Sequence, residues 1–340
     1  MAQIRSHYVT YFNRTDAQLH GYWQGCKALL ITEIALVIFS FFYYILTAYM
    51  MIKTFRYQKN LRNIWVLCTV QYLFSTIDRV IQAGMIILEN ENEGIQPSRA
   101  FLYTSYIRAF GIFMALYSLP IAVTERCFAT YFLEDYEKKQ RSYLGYILVL
   151  ILLAMAALSS YIYHRVNSTI FLFVVIMVLN NIGVLVNSLN YKLNKRYYWE
   201  TMSRKRGIRA YSLGERYQIA ENIRACQFVN HTVLWVGFLN MIASIALIVN
   251  NFDVSIFYRN VAVLIFEFSI IIYGLVVPVV IYCHNESWKI ELNRLRHKAF
   301  TSSKTVPFSV SVKSTLGSET NVERANHADL YFIMLQKDLK

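Results

Sequence analysis

The sequence predicts an all-α membrane protein: a seven-transmembrane helix bundle with its N-terminus outside and its C-terminus cytoplasmic. Three observations predict it. The 340 residues are 56% hydrophobic and 16% charged, against roughly 25% charge in soluble domains. Seven apolar runs reach the about 20 residues that a helix needs to cross a ~30 Å hydrocarbon core. Lysine and arginine crowd alternate loops between those runs. A soluble protein this apolar would have too few polar residues to cover its surface.

The runs are residues 28–52, 64–88, 101–124, 143–163, 169–189, 228–249 and 261–283. Residues 1–27 hold no apolar stretch of the signal-peptide kind, so the first run is expected to be its own insertion signal. Residues 1–27 then form an outer tail and residues 28–283 the bundle. Residues 284–300 form an amphipathic juxtamembrane helix, on which Trp288, Leu292, Leu295 and Ala299 recur at helical spacing. Residues 301–340, rich in serine and threonine, form a flexible cytoplasmic tail.

Orientation follows from the basic residues beside the spans. Twenty-one flank the ends assigned to the cytoplasm, nine of them in the loop between the fifth and sixth spans. Six flank the other side: Arg5, Arg14, Lys27, Arg99, Arg165 and Arg259. The net charge of +13 is thereby explained by topology and does not call for nucleic acid,. Glycosylation tripeptides at Asn13 (NRT) and Asn167 (NST) fall on the outer side, in agreement,.

The five cysteines, Cys26, Cys68, Cys127, Cys226 and Cys283, show no metal spacing, and the histidines are scattered. Neither a metal centre nor a cofactor is expected, which argues against a seven-span metal hydrolase and against an enzyme altogether. A transporter would tend to show repeats and spans broken by glycine and proline, and the chain has only four prolines,. A seven-span ligand-gated channel with its N-terminus inside would oppose the charge bias. Either remains the alternative to a receptor.

Ionisable side chains inside spans cost ~2.5–3.5 kcal/mol each at the bilayer centre, so each is a functional candidate. They are Glu33, Asp78, Arg79, Arg108 and Glu267. Glu33 and Arg108 are near enough to the outer end to snorkel. Asp78 and Arg79 point ~100° apart on their helix, so Arg79 has Glu267 as a partner in prospect and Asp78 the polar groups of another helix. The candidate ligand site is Asp78, Arg79, Arg108 and Glu267 with Asn180 and Asn187 of the fifth span. A structural network of ion pairs is the competing reading.

At the inner end of the third span, Glu125 and Arg126 close an apolar run that contains Pro120. The pair is either a stop signal with a snorkelling arginine or a latch that holds one state and turns to a partner in another. The run Arg204, Lys205, Arg206 in the fifth-to-sixth loop makes a basic inner face suited to a heterotrimeric G protein, and Tyr136 lies in the loop after the third span. Cys283 is a candidate for palmitoylation. Lipid, a small-molecule ligand and a further receptor copy are the other partners considered.

Seven helices with the N-terminus outside and one long basic inner loop form the topology of G-protein-coupled receptors. The acid–arginine pair resembles the E/D-R-Y motif of rhodopsin-like receptors, with Cys127 in place of tyrosine. The fuller string "AVTERCFATYFLEDYEKKQR" is more similar to the nematode serpentine receptor class epsilon family, Sre. Glu125, Arg126, Ala129, Thr130, Tyr136 and Glu137 stand at its positions. "ERYQIAENIRACQF" and "VPVVIYCHNESWKIEL" resemble that family too. The resemblance implies a chemosensory receptor at the plasma membrane of sensory-neuron cilia. The cysteine pair that links the outer end of the third span to the fourth-to-fifth loop in rhodopsin-like receptors is missing, as is N-P-x-x-Y in the seventh span.

Overall fold

The computed structural model describes residues 9–54, 59–88, 99–132, 142–166, 168–203, 213–284 and 286–300. Among the described residues every long element is a helix. A short α1 (Arg14–Leu19) is followed by seven long helices: α2 (Trp23–Thr54), α3 (Lys59–Leu88), α4 (Arg99–Tyr131), α5 (Ser142–Arg165), α6 (Ile170–Ser203), α7 (Leu213–Ile248) and α8 (Ile256–His284). A last helix, α9 (Glu286–Phe300), follows α8. Seven stretches are long and apolar enough to cross a membrane, and each contains or closely overlaps an expected span.

The helices run past the apolar limits for a simple reason. The bilayer sets where side chains must be apolar, whereas hydrogen bonding lets a helix continue into polar sequence. Thus α7 begins at Leu213, well before the apolar run at residue 228. Bulky apolar residues such as Phe39, Phe42, Leu150, Phe171, Leu185 and Phe238 lie exposed around the bundle, as contact with lipid requires,.

The third span, α4, is the axis of the bundle. Two thirds of its most apolar window is buried (67%), more than in any other span, and it packs on α3, α5, α6 and α7. Pro120 lies inside it and cannot donate to the carbonyl of Leu116 four residues earlier,. Asn180 of α6 donates from Nδ2 to that carbonyl at 3.0 Å. Beside the same turn α6 approaches closely at Gly183, where a Cβ would lie 2.7 Å from Leu119 Cδ2. A second close approach joins α8 to α3, because a Cβ on Gly274 would overlap the Tyr72 phenol.

Helix α9 turns its stripe towards protein. Trp288, Leu292 and Leu295 pack with Met50, Met51 and Ile281 at the inner ends of α2 and α8. Glu291 forms an ion pair with Lys53 of α2. The side chain of Ala299 and all of residues 301–340 lie outside the described residues.

Candidate functional site

A buried cluster of charges joins four helices in the outer half of the bundle. Arg79 of α3 donates to both oxygens of Glu33 on α2, from Nε at 2.5 Å and from Nη2 at 2.8 Å. Its Nε also lies 3.3 Å from Oε1 of Glu267 on α8. Arg108 of α4 donates from Nη2 to the other oxygen of Glu267, and from Nη1 to the Ser75 carbonyl at 3.0 Å. Glu33, Arg79, Arg108 and Glu267 are each at most 2% exposed.

Snorkelling, an option for Glu33 and Arg108, is therefore not what these side chains do. Both turn inward because a carboxylate and a guanidinium in hydrocarbon stabilise each other far more than either gains by stretching toward headgroups. Arg79 does face Glu267, but Glu33 is its main partner.

The cluster is not fully satisfied. Asp78 Oδ2, Arg79 Nη1, Gln82 Nε2 and Arg108 Nε are buried without a hydrogen-bond partner among the described residues. With Asp78 included, three carboxylates face two guanidiniums. Fully matched polar networks stiffen a bundle, whereas unmatched atoms mark where a further group can bind.

Gln71, Ser75, Asp78 and Gln82 fall at helical spacing along one face of α3. This polar stripe runs from the cluster down to a small cavity of about 40 Å³, which Gln71, Tyr72, Ser75, Asn240, Ser269 and Tyr273 help to line. That volume holds a few waters and is far below the ~300–1,000 Å³ of a small-molecule site.

Above the cluster the outer mouth is filled by residues 9–13 of the chain itself. Val9, Thr10 and Phe12 are at most 2% exposed. The Val9 amide donates to Ser105 Oγ at 2.9 Å, and the Thr10 hydroxyl donates to Gln82 Oε1 at 3.2 Å. Ser105 is 2.9 Å from Nε2 of His164, whose Nδ1 lies 2.8 Å from the Ser160 carbonyl. A carbonyl only accepts, so Nδ1 carries a proton, and in the neutral ring Nε2 accepts from the Ser105 hydroxyl.

Thr10 has φ +62°. A β-branched residue in this region carries strain on the order of 1–3 kcal/mol, held only by what surrounds it. Asn13 and Asn260 of α8 bond reciprocally: the Asn13 amide reaches Asn260 Oδ1 at 2.9 Å, and Asn260 Nδ2 reaches the Asn13 carbonyl at 3.1 Å. Asn13 also caps α1, accepting from the Asp16 amide at 3.0 Å. Gly21, at φ +77°, turns the chain from α1 into α2. Beside that turn, burial and then the hydrogen bond to Asp16 push the Tyr22 hydroxyl up to about 12.

Two asparagines expected at the ligand site are placed elsewhere. Asn180 is committed to Leu116 and Ile176 through Nδ2, and its Oδ1 lies 3.4 Å from Asn240 Nδ2, so Asn240 faces the cavity in its stead. Asn187 lies ~25 Å along α6 from its outer end by helical rise. There it pairs with Asn230 at 3.4 Å, in the inner half of the bundle. Their spacing does put both on one face, but that face runs inward from mid-bundle. The aromatic residues of the third span pack on neighbouring helices or face lipid: Phe113 meets Tyr163 and Phe173, and Tyr103 is 69% exposed.

At the inner end, Arg126 folds onto Glu125. Its Nε and Nη2 donate to the two carboxylate oxygens at 2.6 and 2.8 Å, and both residues are 1% exposed. The Thr130 hydroxyl donates to the Arg126 carbonyl at 3.0 Å and accepts from Asn194 Nδ2 of α6 at 2.9 Å. Cys283 is exposed at the end of α8. Tyr136, Asn167, Arg204, Lys205 and Arg206 lie outside the described residues.

Reasoning from the sequence missed Ser105, His164, Gln82, Gln71 and Asn240. The signal available for some of them was the polar spacing on α3, which a search for formal charge passes over.

Residues 9–340 match the family described as Sre G protein-coupled chemoreceptor. The chain is 31% identical over 293 residues to serpentine receptor class epsilon-13 of Caenorhabditis elegans, a match covering 86% of this chain and 81% of that protein. It is 25% identical over 337 residues to class epsilon-8 of the same nematode, covering 97% and 96%. It is 34% identical over 190 residues to class epsilon-12, covering 54% and 55%. With seven long apolar helices and a match along nearly its whole length, the chain belongs to the Sre family of G protein-coupled chemoreceptors and is a multi-pass membrane receptor.

Proposed function

We propose that this receptor binds a small polar molecule at the outer ionic cluster and signals to a heterotrimeric G protein through its inner face. The observation that carries this reading is the incompletely matched network of Asp78, Arg79, Arg108 and Glu267 with Glu33. It ties α2, α3, α4 and α8 together, so a ligand that completes it bears on four helices at once,. Its expected setting is the plasma membrane of sensory cilia, with glycans at Asn13 and Asn167 and a lipid anchor on Cys283.

Signal transfer uses Arg126. With Glu125 satisfied by Arg126 the inner end is in its resting arrangement; release of the guanidinium toward the G protein defines the active one. Tyr136, Arg204, Lys205 and Arg206 add the charge that a G-protein α subunit complements.

The test is Arg126→Ala in a ligand-responsive reporter cell, with surface level measured in parallel. Loss of signalling at unchanged surface level supports the reading. Unchanged coupling to every Gα tested overturns the latch.

A further inference from the structure

We propose that residues 9–12 are the resident occupant of the ligand mouth, and that an outside molecule reaches the ionic cluster only by displacing them. This rests on the reading of that cluster as the ligand site. It also specifies the class of molecule: one that carries a hydrogen-bond donor for Ser105, a second donor for the Gln82 carbonyl and an aromatic or branched apolar group.

The contacts of the segment supply the argument. It presents a backbone N–H to Ser105 and a hydroxyl to Gln82. Phe12, fully buried, packs with Trp23, Leu30, Ile86, Phe101 and Leu264. These contacts are non-covalent, and a ligand can reproduce each of them. They work against the left-handed backbone of Thr10, a conformation that relaxes as soon as the segment leaves,. The reciprocal Asn13–Asn260 pair and the capped α1 hold the far end. A displaced segment therefore stays tethered at its own mouth and returns when the ligand departs. Beneath the segment the cavity that the polar stripe of α3 reaches is about 40 Å³, so a ligand of ordinary size gains its space by removing the segment,.

The experiment reads access to the mouth and uses neither a ligand assay nor a G protein. Ser105→Cys is introduced into the full-length receptor in cell membranes and labelled with a small membrane-impermeant methanethiosulfonate. The unsubstituted receptor gives the background of the native cysteines. Leu19→Cys, on α1 where the residue is 81% exposed, gives the rate for an open outer position and reports a correctly presented outer face.

Ser105→Cys is expected to label slowly beside Leu19→Cys. Adding Thr10→Ala and Phe12→Ala, which remove the hydroxyl held by Gln82 and the buried ring, raises its rate about ten-fold or more while Leu19→Cys is unchanged,. Equal labelling of Ser105→Cys with and without the anchor substitutions overturns the proposal. The five-residue peptide acetyl-Val-Thr-Tyr-Phe-Asn-amide, at the ~1 mM that a short tether supplies, then slows labelling of the opened variant. No slowing overturns the assigned ligand class. Because no signalling is read, a receptor that fails to couple leaves these results intact.

Discussion

Arg108 and Glu267, 159 residues apart in the chain, are joined by a charge-assisted hydrogen bond that closes the third span onto the seventh. The same carboxylate lies 3.3 Å from Arg79, so one glutamate serves two arginines from two other helices. Helix association in a membrane has no hydrophobic drive, since lipid is as apolar as the helices themselves. A shared carboxylate in the outer half therefore helps to fix the relative rotation of α3, α4 and α8 alongside their packing.

Glu267→Gln leaves two buried guanidiniums with the single full counter-charge of Glu33 in contact. Loss of one partner from a buried pair costs about 3–5 kcal/mol. The expected outcome is a large fall in the thermal midpoint of the detergent-solubilised receptor. Arg108→Met combined with Glu267→Met removes charge of both signs and should unfold at a higher temperature than either Arg108→Met or Glu267→Met alone. If the two losses simply add, the charges are not acting as a unit.

Glu125→Gln acts opposite to Arg126→Ala. The two hydrogen bonds from Arg126, at 2.6 and 2.8 Å, go to the two oxygens of one carboxylate, and an amide accepts through only one of its two end atoms,. The resting arrangement weakens while Arg126 is kept. Ligand-free G-protein activation should rise about ten-fold for a ~1.4 kcal/mol shift between states. A basal level equal to that of the unsubstituted receptor would assign Arg126 to anchoring.

Two glycines should respond differently to the same substitution. A Cβ at Gly183 meets Leu119 Cδ2, the mobile end of a flexible side chain, so Gly183→Ala is accommodated by a rotamer change,. A Cβ at Gly274 meets the Tyr72 phenol, whose ring is stacked on Tyr44 at 3.9 Å between centroids. Gly274→Ala must break that stack and should cost about 1–3 kcal/mol through overpacking. Thermal midpoints of the two variants, measured side by side, check the order.

The seven spans were legible because hydrocarbon imposes the same demand on about 20 successive residues, a signal that survives without any knowledge of packing. The ionic residues were legible for the converse reason, since each interrupts an apolar run. Their partners were not. Whether Arg79 meets Glu33 or Glu267 depends on how α2, α3 and α8 are rotated, and helix rotation is set by contacts such as Tyr72 on Gly274. Asn187 fails for another reason: its spacing from Asn180 set its face, but the expected span, residues 169–189, already put it two residues from the inner end, too deep for an outer ligand site. Thr10 had no signal, because nothing in a threonine announces a positive φ; the strain there is imposed by Ser105, Gln82 and the Phe12 pocket.

Asn180 and Pro120 should be energetically coupled although they sit on different helices. Pro120 removes a donor from α4, and Asn180 Nδ2 supplies one to the Leu116 carbonyl at 3.0 Å. Asn180→Ala in the unsubstituted receptor leaves that carbonyl buried and unpaired, at about 1–3 kcal/mol. Pro120→Ala restores an intrahelical N–H for Leu116, so Asn180→Ala added to Pro120→Ala should cost visibly less. The four thermal midpoints of this double-mutant cycle give the coupling, which is expected to be about 0.5–3 kcal/mol. A coupling of zero would mean that Asn180 holds α6 through Asn240 alone. The bend at Pro120 would then stand without support from α6.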